Sequence, residues 1–184
     1  MKKLIVFEWV TLDGIFDAET MNHWFIPFDS KERQACITEN IMDCDAILFG
    51  RHTYEMLAPY WSSLKNNEMG IADKLNQVNK YVVSTGIQEA SWQNTTIIRS
   101  NVAEEVKKLK QQPGSNILVE GSATLVQSLA AAGLVDEYRL LVHPYIMGSG
   151  KRFFKEGSAA SQLKLVRSQT LAMDVVLQCY QPVR

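Results

Sequence analysis

Two short, wholly apolar runs, Ala46-Ile47-Leu48-Phe49 and Ile117-Leu118-Val119, constrain this chain more than any other feature. A strand without polar alternation must be covered on both faces, the condition of a parallel sheet flanked by helices. Each run meets a glycine soon after it, Gly50 or Gly121, and then a segment with helical spacing. Further strands are expected at 4–10, 80–84 and 95–98. Asp29 with Glu32 has the form of a capping box opening a helix to Met42. Residues 54–57 read as helical, and residues 66–70 as the most loop-like interior stretch. Asn101 and Glu104 cap a helix with Val102, Val106 and Leu109 on one side and lysines on the other, stopped by Pro113-Gly114. Ser122 is the expected N-cap of the next helix and Gly133 its stop. Segments 138–143, 163–167 and 175–180 look like strands without long helices between them. The pattern predicts an α/β fold: a mostly parallel central sheet flanked by helices, with antiparallel C-terminal strands.

Length and charge narrow the function classes. The 184 residues suit one domain over 1–184, and a net charge of −1 argues against nucleic acid or an acidic membrane surface as partner. Lys2 and Lys3 precede an apolar run that Glu8 ends too early for a signal peptide, and no stretch reaches the length of a membrane span. Cys36, Cys44 and Cys179 form no CxxC pair, so a reducing cytoplasm is the expected location, with Cys36 and Cys44 as small buried hydrophobes. His23, His52 and His143 lack metal-ligand spacing, so no metal is expected. Gly148-Ser149-Gly150-Lys151 is no P-loop, because Tyr145 and Arg152 stand where glycine and Ser/Thr are required, and no GxSxG elbow occurs.

Two strand-to-helix junctions have chemistry suited to phosphate. Gly50-Arg51-His52-Thr53 offers a sharp turn, a planar guanidinium and a hydroxyl beside free helix N–H groups. Glu120-Gly121-Ser122-Ala123-Thr124 offers small residues that admit an anion to the positive end of a helix. Singly, such features mark only a turn or a cap; a dinucleotide site requires both in one small α/β domain.

With Gly50-Arg51-His52-Thr53-Tyr54-Glu55, Leu12-Asp13-Gly14, Asp45-Ala46-Ile47-Leu48, Lys80-Tyr81-Val82-Val83-Ser84, Glu120-Gly121-Ser122, Leu134-Val135-Asp136-Glu137 and Pro144 through Lys151, the chain resembles a known fold family. The family is the dihydrofolate-reductase-like branch that includes the reductase domain of the riboflavin-biosynthesis deaminase-reductase. The resemblance runs from about residue 2 to 180, so no deaminase domain is expected before it. It implies an NADPH-dependent oxidoreductase of a small heterocycle, such as 5-amino-6-(5-phosphoribosylamino)uracil or, second, a pterin.

By the same resemblance, Gly50, Arg51, His52 and Thr53 would hold cofactor phosphates, with Arg51 at the 2′-phosphate. Ser84 and Thr85 would lie near the adenosine, and Gly121, Ser122, Ala123, Thr124 and Leu125 would cradle the pyrophosphate. Residues 13–17 would pass the nicotinamide. Glu120 and Asp17 are candidates for substrate contact and acid chemistry, and a homodimer is implied. Gln34 falls near the pterin carboxylate position, with Glu32 close by; Asn40 falls where riboflavin reductases carry a phosphate-binding arginine. Trp24 reads equally as core packing or as a wall of the substrate pocket, whereas Tyr60 and Trp61 favour packing. The rival readings are a non-catalytic nucleotide- or flavin-binding module and a structural dimerisation domain.

Overall fold

The computed structural model describes residues 1–158 and 160–183. Eight strands form one sheet in the order β4-β3-β2-β5-β1-β6-β8-β7. The strands are β1 (Leu4–Thr11), β2 (Cys44–Gly50), β3 (Asn79–Val83), β4 (Thr95–Ile98), β5 (Asn116–Val119), β6 (Glu137–His143), β7 (Leu163–Thr170) and β8 (Val176–Pro182). All pairings from β4 through β6 are parallel, and β8 joins β6 and β7 antiparallel. The expected α/β class is therefore the observed one, and each expected strand lies within two or three residues of its place.

The helices are α1 (Met21–Trp24), α2 (Lys31–Met42), α3 (Arg51–Ser63), α4 (Ala72–Gln77), α5 (Val102–Gln111) and α6 (Ala123–Ala131). They divide between the two faces of the sheet. Cys36, Ile41, Tyr54, Ala58 and Leu75, from α2, α3 and α4, pack with Ile5, Phe7, Ile47 and Leu118. Val106, Leu109, Leu125, Val126 and Leu129, from α5 and α6, pack with Leu4, Val6, Leu48 and Val119. Successive strand residues thus serve opposite cores, which is why β2 and β5 contain no polar alternation. Leu4, Val6, Ile47, Leu48 and Ile117 have no exposed surface, and each contributes ~1.5–3 kcal/mol of burial.

Several local expectations are corrected. The N-cap of α2 is Ser30, whose hydroxyl accepts the Arg33 N–H at 3.1 Å, while Asp29 binds the Arg33 guanidinium and Gln34. Asn101 and Ser122 stand at the expected N-cap positions of α5 and α6, but neither side chain makes a capping hydrogen bond, and Asn101 has a left-handed φ of 52°. Lys110 of α5 is buried, donating to Leu134 O and pairing with Asp136. The 66–70 stretch contains a one-turn helix, Glu68–Gly70. Lys80, fully buried in β3, donates to Leu75 O at 2.7 Å and Val78 O at 2.8 Å, so its ammonium closes the end of α4 beneath the Trp92 ring. No helix among the described residues is long and apolar enough to cross a membrane.

Candidate active site

The order of strands locates the cleft. β5 lies between β2 and β1, and the chain leaves β2 into α3 on one face but leaves β5 into α6 on the other. Adjacent strands that diverge in this way open a crevice at their carboxyl ends. Gly50 ends β2 there and Gly121 follows β5 there, and the Gly50 N–H donates to Gly121 O at 2.8 Å.

Neither glycine has room for a side chain. A Cβ on Gly50 would stand 2.6 Å from Ser122 Oγ and 2.8 Å from Ser122 N, and one on Gly121 would collide with Thr53 Oγ1. Gly121 also has a φ of 59°, and the Gly121–Ser122 peptide is cis. The two junctions therefore meet in space, Gly50 and Thr53 against Gly121 and Ser122. Both helices that start here, α3 and α6, lack a side-chain cap. Their first N–H groups receive nothing from their own cap side chains, and helix starts of that kind are suited to an anion.

The remaining candidate phosphate ligands surround this point. Arg51 pairs with Glu55 at 2.9 Å and stays half exposed, and its guanidinium lies across Gly86, where a Cβ would be 2.9 Å away. Thr85 is exposed beside it, while the buried Ser84 hydroxyl accepts the N–H groups of Gly86 and Ile87, shaping that turn. His52 is exposed on the first turn of α3. Thr124 is exposed in the first turn of α6, and its hydroxyl accepts from Lys155 Nζ at 3.2 Å. Ala123 and Leu125 are buried beneath it.

Two carboxyl groups sit at the head of the crevice. Burial pushes Glu120 up to about 7, and no described group donates to it. Glu8, on the neighbouring β1, accepts the Gly121 N–H. Burial, reinforced by the nearby Glu120, raises Glu8 well above the usual carboxylate range against the pull of that hydrogen bond. Alternation places Glu8 on the α6 face with Val6 and Val10, and Glu120 on the α2 face with Leu118.

Around Glu120 that face carries an aromatic wall. Trp9 of β1 rests on Phe25 with ring centroids 4.9 Å apart, and Arg33 stacks its guanidinium on Phe25 at 3.9 Å. Arg33 also donates to Phe25 O and contacts His143 Nε2 at 3.4 Å. His143 is held neutral: burial lowers it to about 4. Trp24 lies behind this layer, 1% exposed, its indole N–H on Thr20 Oγ1 at 3.0 Å. The core half of its double reading is what the geometry displays.

Other sequence candidates have partners of their own. Asp17 starts the Ala18–Thr20 turn and binds Lys151 Nζ at 3.3 Å. Asp13 ties the loop after β1 to Met147 and Gly148, and the Thr11 hydroxyl above all holds its carboxyl down at about 2. Glu32 accepts from Ala172 N, and Asn40 accepts from Arg139 at the opposite end of the sheet. Tyr60 and Trp61 contact each other near the far end of α3, about 15 Å from its start. Sequence reasoning missed Glu8, Trp9, Phe25 and Lys155. Glu8 was the one detectable signal, a carboxylate inside an otherwise apolar strand.

Comparison with known proteins agrees with this architecture. An uncharacterized protein, YyaP, from Bacillus subtilis (strain 168) is 31% identical over 97% of this chain and 94% of its own. A putative riboflavin biosynthesis protein from Shewanella sp. PV-4 superposes with a TM-score of 0.76 at 15% identity over 99% of both chains. Dihydrofolate reductase from Enterococcus faecalis, complexed with NADP(H), superposes with a TM-score of 0.67 at 13% identity over 98% of this chain and 96% of that one. The family model described as the RibD C-terminal domain matches residues 2–177, and the chain belongs to that family.

Proposed function

We propose that the protein is an NADPH-dependent reductase of a small heterocycle, over a single domain spanning 1–184. The observation that carries the reading is the contact of Gly50 with Gly121 and Ser122, where two uncapped helix starts share space that any Cβ would fill. A diphosphate fits that cradle: Ser122, Ala123, Thr124 and Leu125 would meet one end with backbone N–H groups and His52 and Thr53 the other. Arg51, lying across Gly86 beside Thr85 and Ser84, would take the 2′-phosphate. Bound there, NADPH supplies a hydride.

The chain's own task is to orient the acceptor, exclude water and provide a proton. Glu120 serves the last of these. With its carboxyl near half-protonation at neutral pH, it can bind a substrate N–H as carboxylate or release a proton from its oxygen. The reading favours a pyrimidine related to 5-amino-6-(5-phosphoribosylamino)uracil, followed by a pterin. Asp17, tied to Lys151, is the second candidate for that substrate contact.

Titration of NADPH against its own fluorescence tests the cofactor half. Saturable binding is expected, and none at millimolar cofactor refutes it. Loss of NADPH absorbance with a pyrimidine or pterin separates an enzyme from a binding module, which would bind the cofactor and consume none.

A further inference from the structure

Among the described residues, three buried side-chain polar atoms lack a hydrogen-bond partner, and two of them, Trp9 Nε1 and Arg33 Nε, belong to side chains packed on Phe25. Unpaired buried donors are scarce in folded proteins, and each requires an explanation. Arg33 has one in its other nitrogens, which hold Phe25 O and Asp29 and so fix the segment that presents Phe25. Trp9 has none. Packing against Phe7 and Phe25 would be satisfied by phenylalanine, so the indole adds to that wall only an unanswered N–H.

Its position indicates what would answer it. β1 and β5 are paired up to Val6 and Val119, and just beyond that point Trp9 and Glu120 project from the same face. One side chain offers a donor and the other an acceptor, at the same end of neighbouring strands. A lactam edge, with N–H beside C=O, presents the complementary pair.

We propose that Trp9 is a specificity-determining residue, its indole N–H taking the carbonyl oxygen of a planar lactam whose adjacent N–H meets Glu120. Admitting that ring requires the half-buried Phe25 side chain to turn about its own χ angles while Arg33 holds its backbone carbonyl. This assignment deepens the proposed reductase reading and rests on its placement of the substrate beside Glu120.

The test uses the full chain at about pH 8.5, where both probes are largely uncharged: 5-aminouracil and 2,4,5-triaminopyrimidine, whose exocyclic oxygens and amines differ on one ring. Calorimetry should show the dione bound about tenfold more tightly, and Trp9→Phe should abolish the preference by weakening the dione alone. A preference surviving in Trp9→Phe, no preference in the unaltered chain, or binding of neither ring overturns the assignment. Should Trp9→Phe fail to fold, indole N–H resonances of the unaltered chain decide: one moves downfield with the dione only, or none does and the assignment fails. NADPH titration is scored separately. Ring preference without cofactor binding sinks the reductase reading and keeps Trp9; cofactor binding without ring preference does the reverse.

Discussion

Gly50→Ala isolates the close approach on which the cradle depends. Gly50 has φ of −77° and ψ of 160°, a conformation open to alanine, so backbone preference contributes nothing. The new methyl carbon would lie 2.8 Å from Ser122 N, against an ordinary contact of 3.4 Å or more. The two junctions must separate by about 0.6 Å in a well-packed region, and such overpacking costs ~1–3 kcal/mol. For a domain of this size that lowers Tm by about 3–10 °C. Binding should suffer more, because the displaced atoms are the donors: NADPH affinity is expected to fall at least about tenfold. Thermal unfolding and fluorescence titration of the same samples give both numbers. Adding Ser122→Gly removes the Oγ contact at 2.6 Å and leaves the backbone one, so rescue should be partial. An alanine variant that melts and binds like the parent would refute the steric argument. Complete rescue by Ser122→Gly would refute the backbone part of it.

Three further outcomes can be checked. Arg51→Ala should weaken NADPH about tenfold and leave NADH unchanged, since only the former carries a 2′-phosphate; equal losses in the two titrations would move Arg51 away from that group. If Glu120 supplies the proton, turnover should decline as pH rises through about 7, and Glu120→Gln should flatten that limb and lower kcat about a hundredfold. His143 should make the fold acid-sensitive. Its folded pKa of about 4 lies below the ordinary 6.5, so the unfolded chain gains a proton that the native imidazole refuses, and stability falls between those values. Glu8 and Glu120, raised by burial, act in the opposite sense over the same range, which makes a difference measurement necessary. In urea titrations the deficit of His143→Phe relative to the parent should shrink by about 2 kcal/mol between pH 7 and about pH 4.5.

Legibility followed the range of the interactions. Apolar runs followed closely by Gly50 and Gly121 declared the sheet and its turns, because a doubly covered strand and a crowded turn each impose a composition on adjacent residues. Capping was harder: Asp29 and Ser30 both suit the N-cap, and the choice fell to Ser30 because Asp29 is drawn to Arg33. The substrate side was hardest. In sequence Glu8 only ends an apolar run, and its partner, the Gly121 N–H, is 113 positions away. Trp24 and Trp9 are equally aromatic in sequence, yet one turns its N–H to Thr20 and the other to nothing. The partner of Asp17, Lys151, lies 134 positions on, so that pairing is equally invisible in sequence.

The late insertion of β5 between β1 and β2 has a bearing on how the molecule comes into being. During synthesis the first two strands emerge without being neighbours, and the space between them waits for residues 116–119. A fragment ending before that point has only one of the two junctions, so on the proposed reading it lacks the cradle altogether. A dinucleotide that seats there clamps early- and late-made segments together, so resistance to proteolysis should rise across the entire polypeptide rather than around the pocket alone.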